Sequence, residues 1–219
     1  MNKYEQKDKK DLELLKKMLA VQGFFTYDLE GKGIQVVPGR YSAVFVNMKK
    51  TWSHPEILFP LAKKMANLCK DCDCAIGIES GGSPYASLMA KDNKINLVLA
   101  RKEASERGEN FAGYVGEKEK LLAIVEDVVA TGKSAEMGFS NIKNDNNRIR
   151  IVCVLSYGMD ELIAKKYDIE VVSLYQIDDL LNLLDPDLNT KITPYIRAYQ
   201  ERLRGMIAAG KYTDKEYKS

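Results

Sequence analysis

The sequence predicts an α/β fold, a doubly wound and mainly parallel sheet flanked by helices, on three observations. First, the short apolar runs CAIGI at 74–78, INLVLA at 95–100, LLAIV at 121–125, RIVCVLSY at 150–157 and EVVSLYQ at 170–176 alternate with helix-compatible stretches. Runs of this length and composition suit strands buried on both faces, and their alternation with helices is the α/β pattern. Second, the stretch LLAIVEDVVATGKS at 121–134 joins such a strand to two acids, Glu126 and Asp127, and then to a turn of small and hydroxylated residues ahead of a helix-compatible segment. Third, the 20 residues RKEASERGENFAGYVGEKEK at 101–120 lie between two strands and are rich in charge and glycine. A segment of that length inside a compact domain points to a functional loop or lid.

At 219 residues the chain is long enough for one well-buried core and marginal for two. Hydrophobic residues at 45% and charged residues at 29% are ordinary for a globular protein. No apolar run reaches the roughly 20 residues of a membrane helix, and MNKYEQKDKKDLE lacks the apolar core of a signal peptide, so a cytoplasmic location is expected. The formal net charge of +2 gives no bulk attraction to nucleic acid or anionic lipid, so anion binding has to be local. Cys69, Cys72 and Cys74 lie within LCKDCDC, but His54 is the single histidine and no second cysteine pair is present. Cys74 reads as a buried small hydrophobe and the others as the end of a helix in a reducing compartment, rather than as a zinc or redox site.

In chain order, residues 1–10 are polar and expected to fray, and Leu12, Leu14, Leu15, Met18 and Leu19 mark an amphipathic helix from Asp11 to about Val21, ended by Gly23. Phe24 to Lys50 mixes β-branched and aromatic residues with Gly31, Gly33 and Pro38-Gly39, as antiparallel hairpins do. Ser53-His54-Pro55-Glu56 opens a helix with an apolar face, and it places His54 at a helix start rather than in catalysis. DELIAKKYD and IDDLLNLL read as helices, Pro186 as a stop, and PYIRAYQERLRGMIAAG as a helix that caps the sheet or extends the surface. The expected division is 1–52 for a helix and hood, 53–185 for the core and 186–219 for a C-terminal extension.

The strand, acid pair, small-residue turn and helix start of 121–134 describe a phosphate cradle, in which backbone N–H groups face an anion beside two carboxylates. A P-loop is excluded, because its first glycine would stand where Asp127 does. A dinucleotide fingerprint is excluded too, since Val36 follows Gly31 and Gly33 at the third glycine's position.

LAIVEDVVATGKS resembles the signature of type I phosphoribosyltransferases. The resemblance implies that fold, with Glu126 and Asp127 holding the ribose hydroxyls of phosphoribosyl pyrophosphate (PRPP) and Val129, Ala130, Thr131, Gly132, Lys133 and Ser134 wrapping its 5-phosphate. Lys133 stands where many members have glycine. Other segments resemble the orotate branch, from about Phe24 to Leu184. GRYSAVFVN at 39–47 is similar to the segment near the base, which implies roles for Phe45 and Val46, and IESGGSPYASLMA at 78–90 is similar to the pyrophosphate loop, with Glu79, Ser80, Gly81 and Gly82 as its turn. ARKEASERGEN at 100–110 is similar to the mobile catalytic loop, which implies that Arg101, Lys102 and Arg107 close over pyrophosphate. The implied activity is transfer of ribose 5-phosphate from PRPP to a nucleobase, most directly orotate, with Mg²⁺ held mainly through the substrate and a homodimer sharing its loops. The departures are Ser105 for a loop lysine, Arg107 for a histidine, Val37 for the lysine before the GR pair, and Tyr157-Gly158 for an Asp-Arg pair. They leave open a PRPP- or nucleotide-binding regulator and a transferase for another base.

Overall fold

The computed structural model describes residues 8–101, 110–140, 142 and 147–213. The chain opens with α1 (Lys9–Ala20), capped by the Asp8 carboxylate, which accepts from the Asp11 N–H. Leu14, Leu15 and Met18 form its buried stripe, at the spacing that the sequence requires. Four short strands follow, β1 (Phe25–Tyr27), β2 (Ile34–Val37), β3 (Arg40–Ser42) and β4 (Val44–Val46). They pair antiparallel as β1 with β4 and β2 with β3, and form the hood anticipated from the glycine-broken aromatic segment. A 3₁₀ turn at Met48–Ser53 leads into α2 (Pro55–Leu68), which has His54 at its N-cap and Pro55 in its first turn.

The core is a six-stranded sheet made of β5 (Cys74–Ile78), β6 (Asn96–Ala100), β7 (Phe111–Ala112), β8 (Leu121–Val129), β9 (Arg148–Ser156) and β10 (Glu170–Gln176). Its order is β10-β9-β8-β5-β6-β7, parallel throughout except for β7, which runs antiparallel along β6. The five parallel strands, taken in chain order, lie as 2-1-3-4-5, and the direction in which successive strands are added across the sheet reverses between β5 and β8. In open α/β sheets ligands bind outside the carboxyl ends of the strands at such a switch point. The connecting helices are α3 (Ser83–Asn93), α4 (Lys133–Phe139), α5 (Asp160–Tyr167) and α6 (Ile177–Leu181).

Three expectations are corrected. Glu126 and Asp127 lie inside β8 and not beyond it, because the ladder to β9 runs on to Val129 opposite Ser156 while the ladder to β5 ends at Val125 opposite Gly77. The acids therefore face an opening on one side and a strand on the other. Phe111–Ala112, within the segment read as a loop, forms an edge strand, and the Arg101 N–H donates to the Asn110 carbonyl at 2.8 Å at its neck. Pro186 does not simply stop a helix. It opens α7 (Pro186–Ala209), a 24-residue helix capped by the Asp185 carboxylate and carrying Pro194 in its interior. Ile192, Ile196, Tyr199, Leu203, Met206 and Ile207 of α7 are buried in the same apolar cluster as α1, the hood and the sheet. Of the two alternatives for this segment, packing against the core is the one found.

All four cysteines are reduced and buried. Arg150 lies beside Cys72, with one guanidinium nitrogen 3.7 Å from its Sγ, and also bonds Asp71, Glu170 and the Leu68 carbonyl. Among the described residues no group of three or more His, Cys, Asp or Glu side chains is placed to hold a metal, and no helix is long and apolar enough to cross a membrane.

Candidate functional site

The carboxyl ends of β5 and β8 carry the two loops that matter. After β5 the chain turns through Glu79, Ser80, Gly81 and Gly82 into α3, and both glycines are needed there. A Cβ on Gly82 would lie 1.8 Å from the Val125 carbonyl oxygen, so the turn is pressed onto the β8 backbone. A Cβ on Gly81 would lie 2.3 Å from Asp127 Oδ1, so the Asp127 carboxylate occupies the space that a side chain would take. Asp127 Oδ1 also accepts from the Val128 N–H at 2.8 Å, which fixes the carboxylate across the mouth of the turn. Glu126 is buried in β8.

Beyond Val129, Ala130 to Ser134 curl into α4. Gly132 adopts φ +74° at the N-cap, a left-handed conformation that favours glycine. The Thr131 hydroxyl accepts from the Lys133 N–H at 3.4 Å and orders the turn. Lys133 itself points along α4, where its ammonium donates to Glu136 at 2.9 Å and lies 5.2 Å from the centre of the Tyr212 ring.

These pieces surround one cavity of ≈ 220 Å³. Phe45, Val46, Glu126, Asp127, Val129, Ala130, Thr131, Gly132, Lys133 and Ser134 all line it, so the predicted ribose, phosphate and base segments are brought together. Glu79 to Gly82 do not line it but border it through the Gly81–Asp127 contact. Arg101 follows β6 at the neighbouring strand end. Lys102 and the two departures of this segment, Ser105 and Arg107, lie outside the described residues.

Arg40, Lys49 and Tyr199 line the cavity without having been assigned to the site from sequence, and Tyr157, noted there only as a departure from an Asp-Arg pair, lines it too. Lys49 donates to the Ser80 hydroxyl at 2.7 Å and links the end of the hood to the turn after β5. Arg40 is buried, and one guanidinium nitrogen donates to the Thr131 hydroxyl at 3.4 Å. Tyr157, which follows β9, and Tyr199 of α7 meet edge to face with ring centroids 5.5 Å apart and close the far wall. Gln200 of α7 donates to the Tyr157 carbonyl at 2.9 Å and holds that wall in place. Only the GR pair could have flagged Arg40, and nothing in the local sequence flags Tyr199, because its place at the cavity depends on how α7 returns across the sheet.

Electrostatically the cavity floor is acidic and its wall neutral. Burial pushes the Tyr157 phenol well above its usual range and Tyr199 adds to this, while the positive charge of Arg40 opposes it. Burial likewise pushes up the Cys153 thiol, which lies under the acid pair, with Asp160, Glu126 and Asp127 adding to the effect. Both groups stay protonated and neutral. The charges available to a ligand are the carboxylates of β8 and the cations at the rim.

No family model matches the chain. It is 27% identical over 188 residues to the orotate phosphoribosyltransferase of Methanosarcina mazei, covering 82% of this chain and 95% of that protein. It is 38% identical over 101 residues to the enzyme of that name from Archaeoglobus fulgidus, covering 44% of this chain and 56% of that protein. Along most of its length the chain is thus similar to proteins named orotate phosphoribosyltransferase. Its fold is that of the Aeropyrum pernix orotate phosphoribosyltransferase, with a TM-score of 0.61 at 18% identity over 78% of this chain and 96% of the other. It also overlays on the UMP synthase of Leishmania donovani with a TM-score of 0.71 at 16% identity, covering 88% of this chain and 42% of that longer protein. A Mycobacterium tuberculosis orotate phosphoribosyltransferase solved in complex with PRPP matches at a TM-score of 0.59 and 17% identity, over 80% of this chain and 93% of that one. The likeness to these structures establishes the shared doubly wound sheet and hood.

Proposed function

We propose that the chain transfers ribose 5-phosphate from PRPP to orotate, giving orotidine 5′-monophosphate and pyrophosphate, a pentosyl transfer of pyrimidine nucleotide synthesis. The observation that carries this reading is the contact of Asp127 with Gly81, which joins the acid pair and the turn after β5 into one site at the sheet's switch point. A ligand with a sugar between two phosphate groups matches a site with a carboxylate pair between two turns. The sequence relatives named for this activity support the same reading.

In this proposal Glu126 and Asp127 hold the ribose hydroxyls, and their negative charge favours the cationic sugar that develops as the bond to pyrophosphate breaks. The N–H groups of Ala130 to Ser134 hold the 5-phosphate. Glu79 to Gly82 face the pyrophosphate, with Lys49 and Arg101 supplying positive charge at the rim. Lys102 and Arg107 belong to the segment proposed to close over the leaving group and exclude water. Phe45 and Val46 bound the base from the hood side, and Tyr157 with Tyr199 bounds it from the opposite wall. A divalent hard cation fits this donor set if phosphate oxygens and water supply most of its ligands, because the two adjacent carboxylates of β8 are too few for a protein cage. Mg²⁺ bound with PRPP would neutralise the leaving pyrophosphate. A homodimer and a cytoplasmic setting complete the proposal, as does the division into hood, core and extension.

The test is steady-state turnover of orotate with PRPP and Mg²⁺, followed by loss of orotate absorbance and release of pyrophosphate. Turnover at about 1 s⁻¹ or faster is expected. PRPP binding without turnover of orotate, uracil or purines would instead favour a regulatory role, a reading motivated by Ser105 and Tyr157-Gly158.

A further inference from the structure

Among the described residues three cations line the cavity, and they are not equivalent. Lys49 is exposed and committed to Ser80, and Lys133 is exposed and committed to Glu136. Arg40 differs in that it is 8% exposed and its Nε is buried without a hydrogen-bond partner among the described residues. Its one recorded bond there, to the Thr131 hydroxyl, is long at 3.4 Å and goes to a neutral group. A buried guanidinium that makes no ion pair among the described residues is costly, and the cost is offset when a ligand brings the anion. The position also restricts which anion this is. Arg40 stands between Thr131, where the sugar-phosphate turn begins, and the Tyr157–Tyr199 corner, which offers a flat ligand an aromatic wall. Gly158 has no side chain, so no cation is supplied from the end of β9 itself. An aromatic corner with one forked cation at its sugar side matches a planar base that carries a carboxylate next to its glycosidic nitrogen.

We propose that Arg40 is the specificity-determining residue of the base subsite and pairs with the carboxylate of the base from the hood side. The inference rests on the transferase reading above and deepens it. Guanidinium is suited to the task because its planar fork pairs with carboxylate through two parallel hydrogen bonds. Pro38 and Gly39, the latter at φ +73°, form the turn that delivers Arg40 into the cavity, and Thr213 of the C-terminal segment packs on Gly39. The hood and the far end of the chain therefore converge where this residue is set.

The decisive experiment compares orotidine 5′-monophosphate with uridine 5′-monophosphate by titration calorimetry, since the two share phosphate and ribose and differ in the carboxylate. The parent protein is expected to prefer the carboxylated nucleotide by about 10- to 100-fold, the range of a charged hydrogen bond. Arg40→Gln should reduce that preference to about threefold or less while leaving uridine monophosphate and PRPP affinity nearly unchanged. Arg40→Lys, which keeps the charge but not the fork, should fall between. Equal affinities in the parent would overturn the assignment without any variant, which covers the case of an Arg40→Gln protein that does not fold. An equal loss for both nucleotides in Arg40→Gln would also overturn it, by placing Arg40 on the phosphate, and so would an unchanged preference. Failure of the parent to bind either nucleotide or PRPP would instead overturn the transferase reading, and this inference with it.

Discussion

Adding one methyl group to Gly81 or to Gly82 should have opposite effects on stability and activity, although the two residues are adjacent. At Gly82 the new Cβ would sit 1.8 Å from the Val125 carbonyl oxygen, 2.6 Å from its carbon and 3.0 Å from the Ile78 nitrogen, all backbone atoms in the centre of the sheet. Reaching ordinary contact requires the start of α3 to move by more than about 1 Å from β8, and packed interiors resist such shifts. Overpacking of this kind costs about 1–3 kcal/mol or more. For a chain of this size that corresponds to a melting point lowered by ~2–12 °C. At Gly81 the three atoms nearest the Cβ all belong to the Asp127 carboxylate, at 2.3 to 2.7 Å, and that side chain can rotate away. Gly81→Ala should therefore melt within ~3 °C of the parent, yet lose about 100-fold or more in kcat/KM, since it displaces the carboxylate assigned to the ribose. Differential scanning fluorimetry and the pyrophosphate-release assay measure the two effects. A Gly81→Ala protein with parental activity would refute the placement of Asp127 at the reacting sugar, and a Gly82→Ala protein with parental stability would refute the packing argument.

Four further outcomes are expected. Asp127→Asn should keep the fold and lose about 10²- to 10³-fold in kcat, measured at saturating PRPP, because a neutral amide no longer favours a cationic sugar. Tyr199→Phe should leave the Michaelis constant for the base unchanged, whereas Tyr199→Ala should raise it and lower stability by about 3 kcal/mol through the cavity left against Tyr157. Arg150→Ala should cost about 1–2 kcal/mol in urea denaturation, less than a fully buried ion pair, because its partners Asp71 and Glu170 remain solvated when it is removed. The Cys74 thiol, pushed up to about 12 mainly by burial, stays protonated in the folded chain where the unfolded chain ionises near 9. The unfolded state therefore binds fewer protons over that interval, so stability should fall from pH 9 to 12, and fall less steeply in Cys74→Ala.

Much of the sheet was legible in the sequence because its strands are apolar on both faces. CAIGI and EVVSLYQ coincide with β5 and β10, since a turn residue or helix start ends each run sharply. The extent of β8 was not legible, because acids normally mark a strand's end. Here the β9 ladder continues past them, and only the sheet order reveals that they face the gap beyond β5. Local sequence also located the turns at 79–82 and 130–134, where glycine and small residues answer to backbone contacts. It did not locate Arg40, Lys49 or Tyr199 at the cavity, because each arrives from an element distant in the chain, and periodicity says nothing about such long-range packing. The last helix was read from Pro194 onward, whereas α7 starts at Pro186 and runs through Pro194, held together by burial of Ile192, Ile196 and Tyr199 on either side of it.

The most direct test of the central claim is pyrophosphate release from PRPP and Mg²⁺ in the presence of orotate, compared between the parent protein and Asp127→Asn. The account predicts one pyrophosphate and one orotidine monophosphate per orotate consumed, at about 1 s⁻¹ or faster in the parent and reduced at least 100-fold in the variant. A parent protein that binds PRPP yet forms no orotidine monophosphate, or a variant that turns over at the parental rate, would contradict it.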